Sequence, residues 1–438
     1  MTIRAQAVHV LLLATAFASA AHGQETGTRS GMAQEFLDEQ AGLSLEQALA
    51  RAIEREPSLR AARLDIDAAR GLRTQAALRP NPTLTFERRV EPAGSDSQVS
   101  VGIQWPLDLF RRRGRVEAAE REVEATGLAV SDRERLLRAE VRSRYGLAAA
   151  AARDVSVADG LVATAQRQWD QVRARVETGR APPLERDLLQ VDLRRFEAMR
   201  LVAVGRAEAE LIELRRLLGM APEEPLELRD TLEALVTGIG AGSLSEGWPA
   251  TRPDVREADA RLALADARID QASREGRVDV SLFGSYMRMD AGFPQLGLSS
   301  AGAFERVRGQ FHYVSGGAMV TLPLFDRNQG QVAAARAERS AAEARQDAVE
   351  LSARVEVAAA RARDVRARDA VGMFSGVLEL ARRNFDVVRQ TFELGRATVY
   401  DVLAEQRRFL EIEQGYTAAL REAWDARVAL LRAQGEIR

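Results

Sequence analysis

Residues Gln98–Trp105 read Gln-Val-Ser-Val-Gly-Ile-Gln-Trp. Val99, Val101, Ile103 and Trp105 alternate with Gln98, Ser100, Gly102 and Gln104, the period of two that makes a strand with one apolar and one polar face. Immediately upstream, Thr83–Val90 sets Leu84, Phe86 and Val90 against Thr83, Thr85 and Glu87, with Arg88 out of pattern. Far downstream, Asp279–Met287 sets Val280, Leu282 and Tyr286 against Asp279, Ser281 and Ser285, and a shorter alternating stretch ends at Leu322. These readings predict strands near 83–90, 98–106, 279–287 and 315–324. One face suits lipid and the other water, and Trp105 and Tyr286 are candidates for interfacial aromatics. A half-buried strand of a soluble sandwich has the same pattern. The number of strands separates the two cases: four strands, divided by long helical stretches, leave open edges. A bilayer does not tolerate such edges, and the smallest barrels need about eight strands. The sheet is therefore expected to close only by association with sister chains.

Working outward, the plan around the strands occurs twice. A helical stretch from Leu43 leads to Arg79-Pro80-Asn81-Pro82, the strand pair, and Trp105-Pro106-Leu107; a second from Thr251 leads to its own pair and Leu322-Pro323-Leu324-Phe325. Each copy then enters a long Ala/Glu/Arg helix and reaches a Gly-Arg step, Gly179-Arg180 or Gly395-Arg396. The first repeat spans 43–236 and the second 251–438, joined by a Gly/Ser-rich linker at 237–250. Pro106 and Pro323 mark the strand–helix junctions, and Gly179 and Gly395 mark breaks in the second helices.

From Leu107 to about Ala152 nothing stops a helix, and roughly 45 residues make a rod of about 65 to 70 Å. Val116, Val123, Val130 and Leu137 recur every seventh position, a coiled-coil seam. The equivalent second rod carries a less regular stripe at Val332, Leu351 and Val355. Each rod is expected to turn back at a hairpin tip, near 153–160 in the first repeat and near 364–376 in the second.

The N-terminus has Arg4, an apolar run from Val8 to Phe17, and small residues from Ala18 to Gly23, the layout of a cleaved signal peptide over 1–23. Residues 24–42 then form an N-terminal segment. The sequence has no Cys, which excludes disulfides, thiolate metal sites and a lipidated Cys. His9 and His22 fall in the leader, leaving His312, and a lone His is a poor basis for a metal site. Net charge is -2 with Arg and acidic residues interspersed, unlike the basic excess of a nucleic-acid surface. No phosphate loop, Gly-x-Ser-x-Gly element or metal-spaced His/Cys set is present, so neither an enzyme nor a cofactor is expected.

The duplicated plan, the Arg-Pro-Asn-Pro lead-in, the two strand-ending prolines and the two Gly-Arg steps resemble the TolC-like outer-membrane efflux channels over the whole mature chain. The Arg-Pro-Asn-Pro element is most similar to the CzcC-like branch that serves heavy-metal cation exporters, although many members carry an acylated Cys that this sequence lacks. The resemblance implies a mainly α chain with a membrane β-barrel: four strands per chain, and a twelve-stranded barrel with a periplasmic helical tunnel in a homotrimer. It also implies a passive efflux duct in outer-membrane lipid, with a periplasmic adaptor and an inner-membrane RND-type pump as partners. A constriction at the helix tips would use Asp364, Arg366 and Asp369, with Tyr145, Asp154 and Asp159 from the first repeat. The competing readings are a soluble periplasmic coiled-coil adaptor, which would carry one hairpin within continuous β domains, and a channel of the same family that exports drugs or other small molecules.

Overall fold

A computed structural model of the chain describes residues 36–92, 96–238 and 248–435. The expected signal peptide, and most of the expected N-terminal segment and linker, lie outside the described residues.

The first repeat contains α1 (Leu45–Arg55), α2 (Pro57–Ala77), β1 (Thr83–Val90), β2 (Ser97–Pro106), α3 (Arg112–Glu177) and α4 (Pro183–Leu217). A short α5 (Leu232–Gly238) precedes the second repeat: α6 (Pro253–Glu275), β3 (Asp279–Leu298), β4 (Phe304–Thr321), α7 (Gln329–Glu393) and α8 (Val399–Gln434). Ser44 opens α1 with a reciprocal capping box to Gln47, and Glu56 caps α2 through the Leu59 N–H at 2.6 Å while Pro57 occupies the first helical position.

The elements lie side by side in rows of four at three heights. The sheet is antiparallel in the order β1-β2-β3-β4. Below it the neighbours run α2-α3-α6-α7, and lower still α4-α3-α8-α7. The main core sits where these rows meet, around Tyr145, Ala149, Leu214, Leu228 and Trp424. Leu228 also forms parallel bridges with Leu37 and Leu43. Every row ends in an unpaired element on both sides.

Four expectations are corrected. First, α3 has 66 residues and α7 has 65, about 100 Å each at 1.5 Å per residue; neither turns at 153–160 or 364–376. Gly160, Gly372 and Gly376 cost a helix only about 1 kcal/mol each, and the buried stripes Val155, Ala158, Leu161 and Ala367, Leu378, Ala381 run straight through. Secondly, the hairpin tips are the Gly-Arg steps themselves. Gly179 has φ 69° and Gly395 φ 73°. Arg180 N–H donates to Arg175 O at 2.8 Å and Gly179 N–H to Val176 O at 2.9 Å, and Arg396 and Gly395 repeat this on Thr391 and Phe392 at 2.9 Å. This is the paired Schellman closure, in which a left-handed glycine satisfies the last carbonyls. Pro183 then starts α4, and Thr398 starts α8 with a capping box to Asp401.

Thirdly, β3 and β4 continue past the alternating stretches and pair up to Leu298 and Phe304. The signal was lost because the register shifts between Gly292 and Leu296, and Pro294 falls in that shift, where no ladder N–H is required. The expected stripe of α7 is displaced as well. Leu351 and Val355 are exposed, whereas Ala335, Ala342, Ala353, Val357 and Ala360 face the core.

The two strand–helix junctions share one device. Pro106 ends β2, and Asp108 follows with φ 50°; Pro323 follows β4, and Asn328 before α7 has φ 60°. Asp108 is held by Arg115 at 2.5 Å, and the Asn328 amide donates to Ala272 O at 2.8 Å. After glycine, left-handed backbone is tolerated best by such short polar residues, and it turns the chain sharply from strand into rod.

Candidate membrane sheet and helical conduit

Strand register assigns each side chain to a face, because directly paired residues share one. On one face, rows counted outward from the helices are Val280/Val320, then Trp105/Leu282/Ala318, then Leu84/Ile103/Gly284/Gly316, then Phe86/Val101/Tyr286/Val314. The other face carries Thr83/Gln104, Thr85/Gly102/Ser285/Ser315 and Glu87/Ser100. Ser285 and Ser315 hydroxyls lie 2.7 Å apart, and Gln104 donates to Ser281 at 3.2 Å. The β3–β4 half of that polar face also carries Phe283, Met287 and Tyr313.

The apolar face is open: Leu84 is 72% and Val314 85% exposed. Trp105 stands near its helical border and Tyr286 near its distal border. At the junctions Leu109, Leu322, Leu324 and Phe325 extend the apolar surface beyond the strands. Among the described residues no helix is long and apolar enough to cross a membrane, and no group of His, Asp and Glu is arranged to hold a metal.

The candidate constriction residues do not lie at the tips. They sit roughly 25 to 50 Å short of the helix ends at 1.5 Å per residue, Asp159 opposite Arg200 in the middle of α4 and Asp154 near the level where Arg153 meets Glu233 of α5. Tyr145 is in the core, its hydroxyl 2.7 Å from Leu43 O and 3.0 Å from the Asp230 carboxylate. Burial, reinforced by the Asp230 charge, pushes that phenol well above its usual range. Asp364 is 2% exposed and clamped by Arg427 at 2.8 Å and Arg368 at 2.8 Å. Neither residue is free to line a tunnel. Arg366 and Asp369 pair with each other at 3.5 Å on the exposed side of α7. Asp159 lies 3.8 Å from Arg200.

Asp154 lines a cavity of about 740 Å³ between α3, α4 and α8. Burial raises its carboxyl pKa against the pull of Arg153, Arg206 and Arg421. A raised folded-state value means the folded chain holds the proton more tightly than the unfolded chain, so Asp154 subtracts stability at neutral pH, and the deficit fades as pH falls through the raised value. Asp154→Asn is therefore expected to raise the melting temperature at pH 7. The gain should vanish at about pH 4 and below, near the ordinary carboxylate range; thermal melts at the two pH values check this.

Sequence reading missed the charged groups that join the two hairpins. Glu413, 3% exposed, takes Arg153 of α3 at 2.9 Å and Arg382 of α7 at 3.2 Å. Arg153 also reaches Glu233 of α5 at 2.6 Å. The available signal was the seam of α8, where Val402, Gln406, Leu410, Glu413, Thr417, Leu420, Trp424 and Arg427 recur at three- and four-residue spacing and all are buried. Polar residues within a heptad seam fix register and partner rather than adding stability.

Two further seams remain uncovered, on the helices that end the lower row. On α7 and its C-cap, Met373, Val377, Leu380, Val387 and Leu394 follow coiled-coil spacing and are 46–74% exposed. On α4, Leu184, Val191 and Val202 do the same at 57–70%. A stripe of this length is the signature of a missing helical neighbour.

The outer membrane efflux protein family model matches residues 48–220 and 249–436, one segment in each repeat. The cobalt-zinc-cadmium resistance protein CzcC of Cupriavidus metallidurans is 27% identical over 433 residues, covering 97% of this chain and 98% of that protein. The nickel-cobalt-cadmium resistance protein NccC of Alcaligenes xylosoxydans xylosoxydans is 28% identical over 321 residues, 70% of this chain and 66% of that one. Among solved structures, CusC superposes with a TM-score of 0.73 at 18% identity, covering 94% of this chain and 95% of its own. The outer membrane protein VceC of Vibrio cholerae superposes at 0.68 and 19% identity, covering 89% and 96%. With the duplicated slat of strands and rods already in view, these matches establish that the chain belongs to the outer membrane efflux protein family, in its CzcC-like branch.

Proposed function

We propose that the chain is one third of a passive, trimeric exit duct: a twelve-stranded barrel in the outer membrane continued by a helical tunnel in the periplasm. The observation that carries this reading is the open row of four at every height. β1 and β4 leave ladder edges that a bilayer would not tolerate, and the uncovered seams of α4 and α7 lie at opposite ends of the lower row. Joining α4 of one copy to α7 of the next is a head-to-tail contact, which closes into a ring when the rotation permits. Barrel and tunnel are then closed by one operation. Leu84, Ile103, Leu282 and Val314 face lipid, the threonine and serine face lines the lumen, and Trp105 and Tyr286 mark the two interfaces.

A charged substitution in the α7 seam tests the assembly. Leu380→Arg places a guanidinium in the proposed contact and is expected to shift detergent-solubilised protein from trimer to monomer in light scattering, with helix content retained. A trimer of unchanged stability would defeat the head-to-tail arrangement.

Heavy-metal cations are the proposed cargo, supported by the resistance named for both relatives, and they are delivered by a proton-driven inner-membrane pump through a periplasmic adaptor. The tips suit such a partner, since Leu184, Leu394 and Tyr400 are all 59% or more exposed there, beside the backbone turns at Arg180 and Arg396. The exposed Arg366–Asp369 pair is the proposed wall residue set at mid-height. Reconstituted protein should conduct in planar bilayers, and loss of the gene should lower tolerance to cobalt, zinc or cadmium. Tolerance unchanged for all three would remove the metal assignment while leaving the channel.

A further inference from the structure

We infer that the distal rim of the apolar sheet face binds phosphorylated lipid headgroups, specifically the glycolipid phosphates of the outer leaflet; this rests on the barrel reading above. Directly beyond the apolar row of Phe86, Val101, Tyr286 and Val314, strand pairing places Arg88, Val99, Arg288 and His312 in a single row on the same face. Along β4 that face continues to Arg308, paired with Gly292, and then to Arg306. Arg88, Arg306, Arg308 and His312 are all exposed.

Among the described residues, Asp290 is the one carboxylate that strand pairing places on this face, and the Asp96 carboxylate sits at its edge, accepting from the Gly292 N–H at 2.8 Å. Asp290 lies 3.5 Å from Arg288, and it already accepts from Gln310 at 3.1 Å and from Ser97 at 3.4 Å. Arg288 is the one arginine of the four with an ion pair among the described residues. The opposite face at the same height is balanced, with Glu87 and Arg89 paired at 3.1 Å. The cationic excess therefore belongs to the lipid side of the sheet alone. It also begins where the apolar band stops: from Val280 to Arg288 is about 26 Å along the strand at 3.3 Å per residue. A tilt near 40° reduces this to about 20 Å of height, and the junction residues Leu322 and Phe325 extend it toward the usual band of about 25 Å.

Arginines at that depth can reach outward along their aliphatic stems to the headgroup level, where guanidinium and phosphate pair as a two-pronged fork. Tyr286 anchors the border, its hydroxyl 2.6 Å from His312 Nδ1, leaving a basic rim open to the leaflet, with Arg88 and Arg288 in one row and Arg308 further out. In a ring of three chains the rim becomes a collar.

The test uses the full-length protein in phosphatidylcholine vesicles doped with diphosphoryl lipid A, comparing wild type with Arg88→Gln/Arg288→Gln/Arg308→Gln. Wild type should bind lipid A in preference to phosphatidylcholine, and the triple variant should lose affinity by roughly fivefold per arginine. Inorganic phosphate at millimolar concentration should not compete, because it lacks the acyl chains that hold the headgroup at the rim. Equal lipid A binding by wild type and variant, or equal wild-type preference for the two lipids, overturns the proposal. Failure of wild type to enter vesicles at all overturns the barrel reading beneath it.

Discussion

Gly146→Val is expected to weaken the docking of the two halves of the molecule. A Cβ at Gly146 would lie 2.1 Å from the Trp424 ring, a separation that real atoms do not occupy. Trp424 cannot step aside: it is 1% exposed, and its indole N–H donates to Arg142 O at 2.8 Å. The added methyl groups must either drive α8 away from α3 or push the indole out of its slot. Overpacking of this kind costs about 1–3 kcal/mol and sometimes more. Trp424→Ala alone should cost about 3–5 kcal/mol through the cavity it leaves. Paired, the two changes should partly compensate, giving a double-mutant cycle with clear coupling. Chemical denaturation in detergent measures all four proteins. Strict additivity would mean that Gly146 and Trp424 do not share one site.

Asp364→Ala is expected to destabilise the second hairpin rather than open a channel. The substitution leaves Arg427, 6% exposed, without the carboxylate that holds it through two nitrogens at 2.8 and 3.2 Å. Removing one member of a buried pair costs about 3–5 kcal/mol, whereas replacing both by apolar residues of similar size is often neutral or favourable. Asp364→Leu with Arg427→Met should therefore recover most of the lost stability. Asp369→Ala, on the exposed side of the same helix, should change stability by no more than about 0.5 kcal/mol. Melting temperature and single-channel conductance together discriminate the cases. A large conductance change in Asp364→Ala with its melting temperature intact would restore that carboxylate to the tunnel wall.

The contrast between Asp364 and Asp369 shows where sequence reading reached its limit. Both are carboxylates within one turn and a half of a helix rich in Arg and Glu. Their difference was partly legible, because Asp364 interrupts the buried stripe of Val357, Ala360 and Ala367 at the spacing of that stripe. What could not be read was the partner, since Arg427 lies on another helix and competes with dozens of other arginines. Gly146 was equally opaque. A mid-helix glycine reads as a weak point until the indole that fills its missing side chain is seen.

The position of the tips failed for a different reason. Charge and glycine clusters at 153–160 and 364–376 suggested turns, while Gly179 and Gly395 were read as later breaks. Local propensity against glycine is about 1 kcal/mol, which continuous packing of Val155, Ala158 and Leu161 readily exceeds. Only a glycine followed by the right capping bonds ends these helices.

The four amphipathic strands, the duplication and the long rods follow from the sequence itself, because period-two and heptad patterns are local properties written in every few residues. Pro106 and Pro323 stand where the chain leaves β2 and β4 for the rods. Tertiary structure alone decided which strand edges and helix seams stay uncovered, which charges are buried in pairs, and how high on the sheet the arginines stand. Those facts depend on register between segments nearly 200 residues apart, as in Val99 opposite Arg288, and no local pattern encodes an alignment over that distance.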